Sequence, residues 1–484
     1  MEGSKADISI VVVPFPAQGH LNQFLHLSIR LSSHGLAVHY AAPGPHIRQA
    51  RSRLQGWPAT VIESLHFHEL PIPSYASPAP NPNSSIFFPS HLQTLFDVFE
   101  DVEPHLANLL QALSATSRRV VVISEPLTSF AAREAAVLPN AEPYTFWTTP
   151  LSTTSAVFGE ESPATALLKS LGVKIPSWED CFSKEFQALV TRIQAKFRPE
   201  SGLLTNTSRS IEGEFLDFFM QQPNFIGKKL FPIGPLNPTN NMEAHKPRHQ
   251  CLDWLDKQPA SSVLYISLGS NSSISDVQIE QLATGLLNGD QQFVWVLKEA
   301  DRCDVFVKKE TDQKNKLPCG FMEKVKGKGL IIGDWAPQLE ILAHKAIAGF
   351  MSHCGWNSCM ESISMGVPIL AWPMHSDQPW NSIFVSDYLK VGVIVRDWDR
   401  RKEILLAGEI EETIKKVMVY DSGEEIRRRA KELGDTIDVS PIDRPSSLNR
   451  KTSSVAPALD TEKPLSSLYR LSSLPTLSLP LTRD

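Results

Sequence analysis

The sequence predicts an α/β protein with two doubly wound domains that face each other across a cleft. Short apolar segments of β-forming residues alternate with segments of helical periodicity in both halves of the chain. A polar, proline-containing stretch separates the two series, and 484 residues are enough for two large domains. We therefore expect a first domain at 1–235, a linker at 236–250, a second domain at 251–435 and an atypical tail at 436–484.

The composition excludes several classes of protein. Hydrophobic residues make up 42% of the chain and charged residues 21%, which allows sizeable cores and excludes collagen-like and wholly disordered proteins. The formal net charge of −6 provides no basic field that would hold nucleic acid or an anionic membrane. We therefore expect no nucleic-acid partner, and any anion site has to be local.

The sequence contains no feature that predicts secretion, membrane insertion or a metal centre. No apolar run approaches the roughly 20 residues that span a bilayer, and the short run Ile8–Phe15 leads into a turn, as a buried strand does. The cysteines form no CxxC pair, and Cys354 and Cys359 with the neighbouring His353 do not fit a closed zinc site. We expect reduced thiols, no bound metal, no transmembrane segment and a cytoplasmic protein.

The first half begins with a strand, a helix and a second strand. The strand is expected at Ile8–Pro14, where nearly every residue is apolar. The helix is expected at Leu21–His34, where apolar residues recur at helical spacing before Gly35. A second strand is expected at Leu36–Ala42, and this βαβ order predicts a parallel sheet with right-handed crossovers.

The remaining elements of the first half have weaker signals. A loop rich in proline, serine and asparagine is expected at Ser74–Pro89, followed by one long amphipathic helix at His91–Leu113. Further buried strands are expected at Arg119–Ile123 and Leu203–Ser208.

The second half repeats the alternation and ends in a different composition. Strands are expected at Ser262–Leu268, Gln292–Leu297, Gly329–Ile332, Ala346–Met351 and Pro368–Trp372, and helices at Asp276–Asn288 and Asn357–Met365. The tail Thr436–Asp484 is dominated by serine, proline, leucine and threonine without a sustained period, and it predicts disorder. Ligands of doubly wound sheets bind beyond the carboxyl ends of the strands, so chemistry is expected in those loops.

The segment Ala346–Gly366 carries the strongest chemical signal. A buried strand leads through a tight turn with His353 into a helix that we expect to begin at Asn357 and Ser358, two good N-cap residues. A helix N-terminus suits a phosphate, and Glu361, one turn further on the same face, suits ribose hydroxyls. The arrangement predicts a nucleotide diphosphate site; a capping asparagine with a surface glutamate is the alternative.

Two further strand ends carry weaker signals. Gly269 and Ser270 follow an apolar strand and offer backbone N–H groups to a phosphate, although a simple turn has the same composition. Asp377 and Gln378 follow another strand, and such a pair can bind vicinal hydroxyls of a sugar. Ordinary loop polarity is the alternative for that pair.

The first half supplies a candidate general base. His20 lies in the loop after the first strand, and a neutral imidazole can accept a proton from a hydroxyl. Such a base works best when a carboxylate orients its other nitrogen, and Glu125, just beyond another strand, is the candidate. A solvated loop histidine is the alternative.

The stretch from Trp335 to Gln378 reads WAPQLEILAHKAIAGFMSHCGWNSCMESISMGVPILAWPMHSDQ. It resembles the 44-residue signature of plant UDP-dependent glycosyltransferases, from its opening WAPQ through HCGWNS to the closing DQ. The stretches CLDWLDKQP and VLYISLGS add to the resemblance, which runs from about residue 8 to 435. Within the family, PFPAQGHLNQFLHLS, VHYAAPGPHIRQARSRLQGW and MHSDQPWN are most similar to the zeatin O-glucosyltransferases.

The resemblance implies a GT-B fold, with the acceptor bound mainly by the first domain and the UDP-sugar by the second. It implies that His20 is the base and Glu125 its partner. For the UDP part of the donor it implies that Trp335 stacks on uracil, Ala336 meets the uracil edge, and Gln338 and Glu361 hold the ribose. The diphosphate is then bound by His353, Asn357, Ser358 and Ser270. The sugar is held by Trp356, Asp377 and Gln378.

The resemblance further implies an inverting transfer of glucose from UDP-glucose to a hydroxyl of a small metabolite, with zeatin the expected acceptor. UDP-glucose is then a co-substrate, no cofactor or metal is expected, and the enzyme is expected to be a monomer. Gln378 favours glucose over galactose but does not separate glucose from xylose. The alternatives are a phenolic or flavonoid O-glucosyltransferase, a zeatin O-xylosyltransferase, and a catalytically impaired UDP-sugar-binding protein.

Two departures from the family pattern bear on activity. The family usually has aspartate where this chain has Glu125, and the additional methylene raises the question of how well the carboxylate reaches His20. The family also ends in a helix that packs on the first domain, whereas the sequence after Asp435 contains no such pattern.

Overall fold

The computed structural model describes residues 6–54, 57–84, 86–157, 163–194, 201–222, 225–237, 248–301, 303–304, 306 and 316–437. The strands found in these ranges form two sheets, and all neighbouring strands in both sheets run parallel. None of the helices in these ranges is both long and apolar enough to cross a membrane.

The first sheet has seven strands. They are β1 (Ala6–Val12), β2 (Ala37–Ala42), β3 (Leu65–Glu69), β4 (Ser117–Ser124), β5 (Ala141–Trp147), β6 (Gly202–Thr205) and β7 (Lys229–Pro232). Their helices are α1 (Gln18–Ser33), α2 (Gly44–Arg53), α3 (Ala59–Glu63), α4 (Gln93–Val98), α5 (Glu103–Thr116), α6 (Phe130–Ala136), α7 (Leu151–Val157), α8 (Pro163–Ser170), α9 (Lys184–Gln194) and α10 (Arg209–Gln221). The strands pair in the order β3-β2-β1-β4-β5-β6-β7, a doubly wound order.

The second sheet has six strands. They are β8 (Val263–Ser267), β9 (Gln292–Val296), β10 (Gly329–Ile332), β11 (Ile347–Ser352), β12 (Ile369–Ala371) and β13 (Gly392–Ile394). Their helices are α11 (Gln250–Leu255), α12 (Asp276–Gly289), α13 (Phe321–Lys324), α14 (Gln338–Leu342), α15 (Trp356–Ser364), α16 (Gln378–Ile383), α17 (Ala407–Met418) and α18 (Ser422–Thr436). The order β10-β9-β8-β11-β12-β13 repeats the doubly wound pattern, so the predicted fold class is confirmed.

Both faces of the first sheet are buried, which explains the continuous apolar character of its central strands. Along β1, Val11 belongs to a core with Leu106 and Leu110 of α5. The neighbouring Val12 belongs to the opposite core with Phe24 of α1. Successive residues of a strand point to opposite faces, so a strand covered by helices on both sides needs apolar residues at every position.

The strand order places one reversal in each sheet, and the reversal defines where a ligand can enter. In the first sheet, β1 lies between β2 and β4; in the second, β8 lies between β9 and β11. At such a point the connections after neighbouring strands leave in opposite directions and open a crevice at the carboxyl ends. The loops after β1, β4, β8 and β11 carry several of the residues considered below, and others follow β5, β10 and β12.

The prediction of one long helix at His91–Leu113 is wrong. The structure has a 3₁₀ turn at Ser90–Leu92, the short helix α4, a second 3₁₀ turn at Phe99–Val102 and then α5. Pro104 lies in the first turn of α5. Proline has no N–H to donate to the preceding turn and its ring clashes with the carbonyl four residues earlier, so the α-helix restarts there.

Four strands were not anticipated from the sequence. The strands β3 and β13 are at sheet edges, β7 is the other edge of the first sheet, and β5 lies inside that sheet. Edge strands need less apolar character because one side has no partner strand. The interior strand β5 contains Pro143, which lowers the strand signal, but the proline carbonyl still accepts from the N–H of Ser201 at 2.9 Å.

The last described helix joins the two halves. Ala430 of α18 packs in one apolar cluster with Phe215 of α10. The hydroxyl of Ser210 donates to the carbonyl of Thr436 at 3.2 Å. Most of the predicted linker and tail, residues 238–247 and 438–484, lies outside the described residues.

Candidate active site

The loops after β1 and β4 bring His20 and Glu125 together. His20 lies in the first turn of α1, and its Nδ1 is hydrogen-bonded to Oε2 of Glu125. The other carboxylate oxygen of Glu125 accepts the N–H of Phe15 at 2.7 Å. Glu125 is 2% exposed, whereas the side chain of His20 is 24% exposed. The longer side chain of glutamate therefore reaches the imidazole, and both carboxylate oxygens are held.

The pKa of His20 is raised above its ordinary value. Burial by itself lowers this pKa, but attraction to the carboxylate of Glu125, the hydrogen bond to it and the charge of Asp377 together outweigh burial. Opposite charges favour the protonated ring, so His20 becomes a stronger base. Asp377 belongs to the second domain's loops, so this charge comes from the other side of the cleft.

Direct hydrogen bonds join the start of α15 to the first domain. The side-chain amide of Asn357 donates to the carbonyl of Gly19, the residue before His20, at 2.9 Å. The prediction that Asn357 and Ser358 begin the helix as N-caps is wrong, because α15 starts at Trp356 and its N-cap is Gly355. Gly355 occupies the N-cap position, so the Asn357 side chain is not used as a cap and reaches across the cleft instead.

His353 is held between two glycines. A Cβ on Gly269 would lie 2.8 Å from Nε2 of His353, and one on Gly355 would lie 2.5 Å from the same atom. Burial lowers the pKa of His353 to about 4, so the ring is neutral at neutral pH. Its buried Nδ1 has no hydrogen-bond partner among the described residues. The adjacent Cys354 adopts φ of 64°, a strained backbone of the kind that functional turns retain.

A second cluster joins α14 to α15. The side-chain amide of Gln338 donates to Oγ of Ser358 at 3.0 Å and to Oε2 of Glu361 at 2.8 Å. Its oxygen accepts the hydroxyl of Tyr265 at 3.2 Å. Burial raises the pKa of Glu361 to about 7, although the hydrogen bond from Gln338 opposes the rise. The cluster offers the carboxylate of Glu361 and the remaining acceptor position of the Gln338 oxygen to a pair of hydroxyl groups.

We expect UDP binding to release a proton from Glu361. Ribose hydroxyls that donate to the carboxylate favour its charged form and lower its pKa, so about half a proton is released at pH 7 and affinity rises as the pH rises through 7. Calorimetric titration with UDP in buffers of different ionisation enthalpy measures the release. In Glu361→Gln the proton release that comes from Glu361 should disappear. If proton release is unchanged in that variant, the ribose does not contact Glu361.

The residues predicted to hold uracil precede α14. Trp335 is 55% exposed, and its ring meets that of His249 edge-on at 6.3 Å between centroids. The carbonyl of Ala336 accepts the N–H of Gln338 at 2.9 Å, so the backbone here turns directly into the hydroxyl-binding cluster. An exposed indole face beside that cluster suits stacking of a flat base.

The residues predicted to hold the sugar have different surroundings. The carboxylate of Asp377 accepts the side-chain amide of Asn381 at 2.8 Å, and burial raises its pKa despite this bond. The amide oxygen of Gln378 accepts the backbone N–H groups of Met374 and His375 at 2.9 and 3.1 Å. The amide nitrogen of Gln378 makes only long contacts, at 3.4 Å to each ring nitrogen of His375, so it is the part of this side chain best placed to donate to a sugar.

Two other predicted ligands, Trp356 and Ser270, are each held by a hydrogen bond. The indole of Trp356 is buried and donates to the carbonyl of Asn206 at 2.8 Å, so the first N–H group of α15 is what this residue presents to a ligand. The carbonyl of Ser270 accepts the N–H of Asp301 at 2.6 Å, which fixes the loop after β8.

Sequence reasoning missed several residues that the structure places at this site. Oγ1 of Thr148 lies 3.1 Å from Nδ1 of His20. Asn381 is fully buried and also accepts the hydroxyl of Thr153 at 2.9 Å, a contact between the two halves. Thr148 follows β5, so recognising that strand would have placed this threonine at the same sheet edge. Within the described ranges, no cluster of histidine, cysteine, aspartate and glutamate is arranged to hold a metal ion.

The chain is similar to known proteins along most of its length. The model of a glycosyltransferase N-terminal domain matches residues 6–238, and that of UDP-glucoronosyl and UDP-glucosyl transferase matches residues 172–415. Cis-zeatin O-glucosyltransferase 2 of Zea mays is 47% identical over 90% of this chain and 95% of its own length. Zeatin O-xylosyltransferase of Phaseolus vulgaris is 42% identical over 89% of this chain and 93% of its own.

A solved structure supports the same grouping. It contains a UDP-glucosyltransferase from Polygonum tinctorium, described as capable of glucosylating indoxyl, in complex with 3,4-dichloroaniline. It superposes with a TM-score of 0.70 at 26% identity and covers 90% of this chain and 94% of that one. The predicted family is thereby confirmed: the chain belongs to the UDP-glucoronosyl and UDP-glucosyl transferases and has their GT-B fold of two Rossmann-like domains.

Proposed function

We propose that this enzyme transfers glucose from UDP-glucose to the side-chain hydroxyl of zeatin, with inversion at the anomeric carbon. One observation carries the proposal: Gly19, the residue before the Glu125-bound His20, accepts the side-chain amide of Asn357 at the start of α15. The charge of Asp377 of the other domain also acts on the imidazole of His20. The base and the start of the helix suited to a diphosphate thus lie on opposite walls of one crevice. The two relatives, both named for zeatin, support this acceptor.

In the proposed complex, UDP lies along α14 and α15. Trp335 stacks on uracil beside the backbone of Ala336, while Gln338 and Glu361 bind the ribose hydroxyls. The first N–H groups of α15, with Asn357, Ser358, His353 and Ser270, bind the diphosphate. Asp377, the amide nitrogen of Gln378 and the backbone of Trp356 bind the glucose.

The reaction follows from these positions. Nε2 of His20 accepts the proton of the acceptor hydroxyl, and the oxygen attacks the anomeric carbon from the side opposite UDP. The bond from that carbon to the phosphate oxygen breaks, and UDP leaves with the electron pair. Glu125 stabilises the imidazolium that forms, while oriented N–H donors at the start of α15 stabilise the charge on the diphosphate.

The proposal includes the organisation and setting of the enzyme. We place the boundary between an acceptor domain and a UDP-sugar domain within 236–250, in a monomer that works in the cytoplasm. All six cysteines are free, and five of them are buried, which supports a reducing compartment.

An acceptor and donor panel tests the function. Incubation with UDP-glucose and cis-zeatin, trans-zeatin or common flavonoids, read by mass spectrometry, should give a zeatin hexoside. Because the relative at 47% identity is named for the cis isomer, we expect cis-zeatin to be the better acceptor. Turnover of flavonoids without zeatin would instead identify a phenolic glucosyltransferase.

Xylose is the second candidate donor. The relative at 42% identity is named a zeatin O-xylosyltransferase, so closely similar chains are named for different sugars. The same panel with UDP-xylose decides between them by the ratio of kcat/KM values. Binding of UDP-glucose without any product would identify a catalytically impaired binding protein, which the held carboxylate of Glu125 argues against.

A further inference from the structure

The buried residues Gln23, Thr148 and Asn206 connect helix α1, which carries His20, with the loops that follow β5 and β6. Gln23 follows His20 by one turn on α1 and is 2% exposed. Its amide nitrogen donates to the carbonyl of Thr148 at 2.6 Å. Its amide oxygen accepts the side-chain N–H of Asn206 at 3.1 Å. Gln23 therefore ties the loop after β5 to the loop after β6 through both halves of its side-chain amide.

Both ends of this set reach the candidate active site. At one end, Oγ1 of Thr148 lies 3.1 Å from Nδ1 of His20. At the other, the carbonyl of Asn206 accepts the indole N–H of Trp356, the first residue of α15, at 2.8 Å. The contacts thus run from the base in the first domain to the start of the helix in the second.

Asn206 has little freedom to move. Its side-chain oxygen accepts the N–H of Leu236 at 3.0 Å. A Cβ on Gly234 would lie 2.3 Å from that same oxygen, so only glycine leaves room for this packing. The side chain of Asn357, next to Trp356, donates to the carbonyl of Gly19 in the first domain. Because Gly19 precedes His20, these contacts form a closed ring.

We propose that Gln23 and Asn206 act as positioning residues, which hold Thr148 against His20 and keep the imidazole at a fixed distance from the start of α15. The proposal rests on the proposed transfer reaction. A single hydrogen bond to Glu125 leaves the ring able to pivot, and Thr148 contacts the same nitrogen from another strand end. A base misplaced by about 1 Å can lose about 10²-fold in rate, so this restraint has a measurable effect.

Buried hydrogen bonds are directional, which is why amides rather than apolar side chains suit this task. Gln23 and Asn206 each use both a donor and an acceptor, so neither can rotate without leaving a buried polar atom unpaired. A purely structural role would also explain such bonds. The two roles differ in whether Gln23 affects turnover through Thr148.

A double-mutant cycle separates the two roles. Thr148→Val removes the hydroxyl with little change of shape, and we expect kcat to fall about 10-fold while the dissociation constant for UDP stays within about twofold. Thr148→Ser should restore kcat. Gln23→Leu should also lower kcat, and the double variant should be no slower than the slower single variant, because Gln23 acts through Thr148.

The matched control is Asn140→Leu. The side-chain amide of Asn140 holds the carbonyls of Ser114 and Ser117 at 3.1 and 3.0 Å, at the opposite, amino-terminal edge of the sheet. Its loss should lower the melting temperature without changing kcat of the folded enzyme. Should Thr148→Val keep the wild-type kcat, or should the two effects on kcat simply multiply, the positioning role would be overturned. Lack of turnover by the wild-type enzyme would instead contradict the proposed function.

Discussion

Replacing His20 by alanine is expected to lower kcat by about 10³-fold or more while the dissociation constant for UDP stays nearly unchanged. Binding by itself does not ionise the acceptor hydroxyl, so without the imidazole the neutral hydroxyl has to displace UDP, and the reaction is much slower. His20 lies on the first domain, whereas the residues proposed for UDP lie on the second. Steady-state kinetics with cis-zeatin and calorimetry with UDP measure the two quantities separately.

His26→Ala is the matched control for this prediction. His26 lies on the same helix, and burial together with the charges of Arg53 and Arg30 lowers its pKa to about 4, so its ring is uncharged at neutral pH. We expect its replacement to leave kcat unchanged apart from any loss of folded protein. Substantial turnover by the His20 variant would show that another group accepts the proton.

Replacing Glu125 by glutamine is expected to lower kcat by about 10²- to 10³-fold and to move the acid limb of the pH profile. The unprotonated imidazole is the active form, so the rate falls as the pH drops through the pKa of His20. Burial lowers that pKa, but Glu125 raises it. Without the carboxylate's charge the pKa falls, and the acid limb of the variant should therefore lie at lower pH than that of the wild-type enzyme.

Glu125→Asp tests the fit of the longer side chain. The wild-type carboxylate reaches both the imidazole and the N–H of Phe15 from its own backbone position. A side chain shorter by one methylene cannot keep both contacts, so we expect kcat to fall about 10-fold although the charge is kept. If aspartate equals or exceeds glutamate in kcat, the loop after β4 adjusts to the residue and the fit is not specific.

The Glu125→Gln prediction has its own contrary outcome. An acid limb that lies at the same pH in Glu125→Gln as in the wild-type enzyme would show that the carboxylate does not set the pKa of the base.

The local sequence pattern predicted the architecture because the burial of each position determines whether an apolar or a polar residue is needed there. A strand covered on both faces has to be apolar throughout, and α1 shows its helical period beside it, so the first βαβ unit was predictable. The long helix was wrongly predicted because apolar periodicity continues past Pro104, whereas the backbone cannot donate a hydrogen bond there. Interior strand β5 was missed for a related reason, since Pro143 weakens its pattern while the neighbouring strands still pair with it.

By itself the sequence determined the two parallel sheets, the turn that contains His353 and the motif that leads into α15, because these depend on neighbours within a few positions. The tertiary structure alone decided that Glu125 reaches His20, 105 positions away, and that Asn357 turns from a predicted cap into a contact between domains. It also revealed Thr148 behind the base. The physical reason is that a hydrogen bond requires atoms about 3 Å apart. Between distant positions that spacing depends on strand order and loop path, which no local pattern of burial specifies.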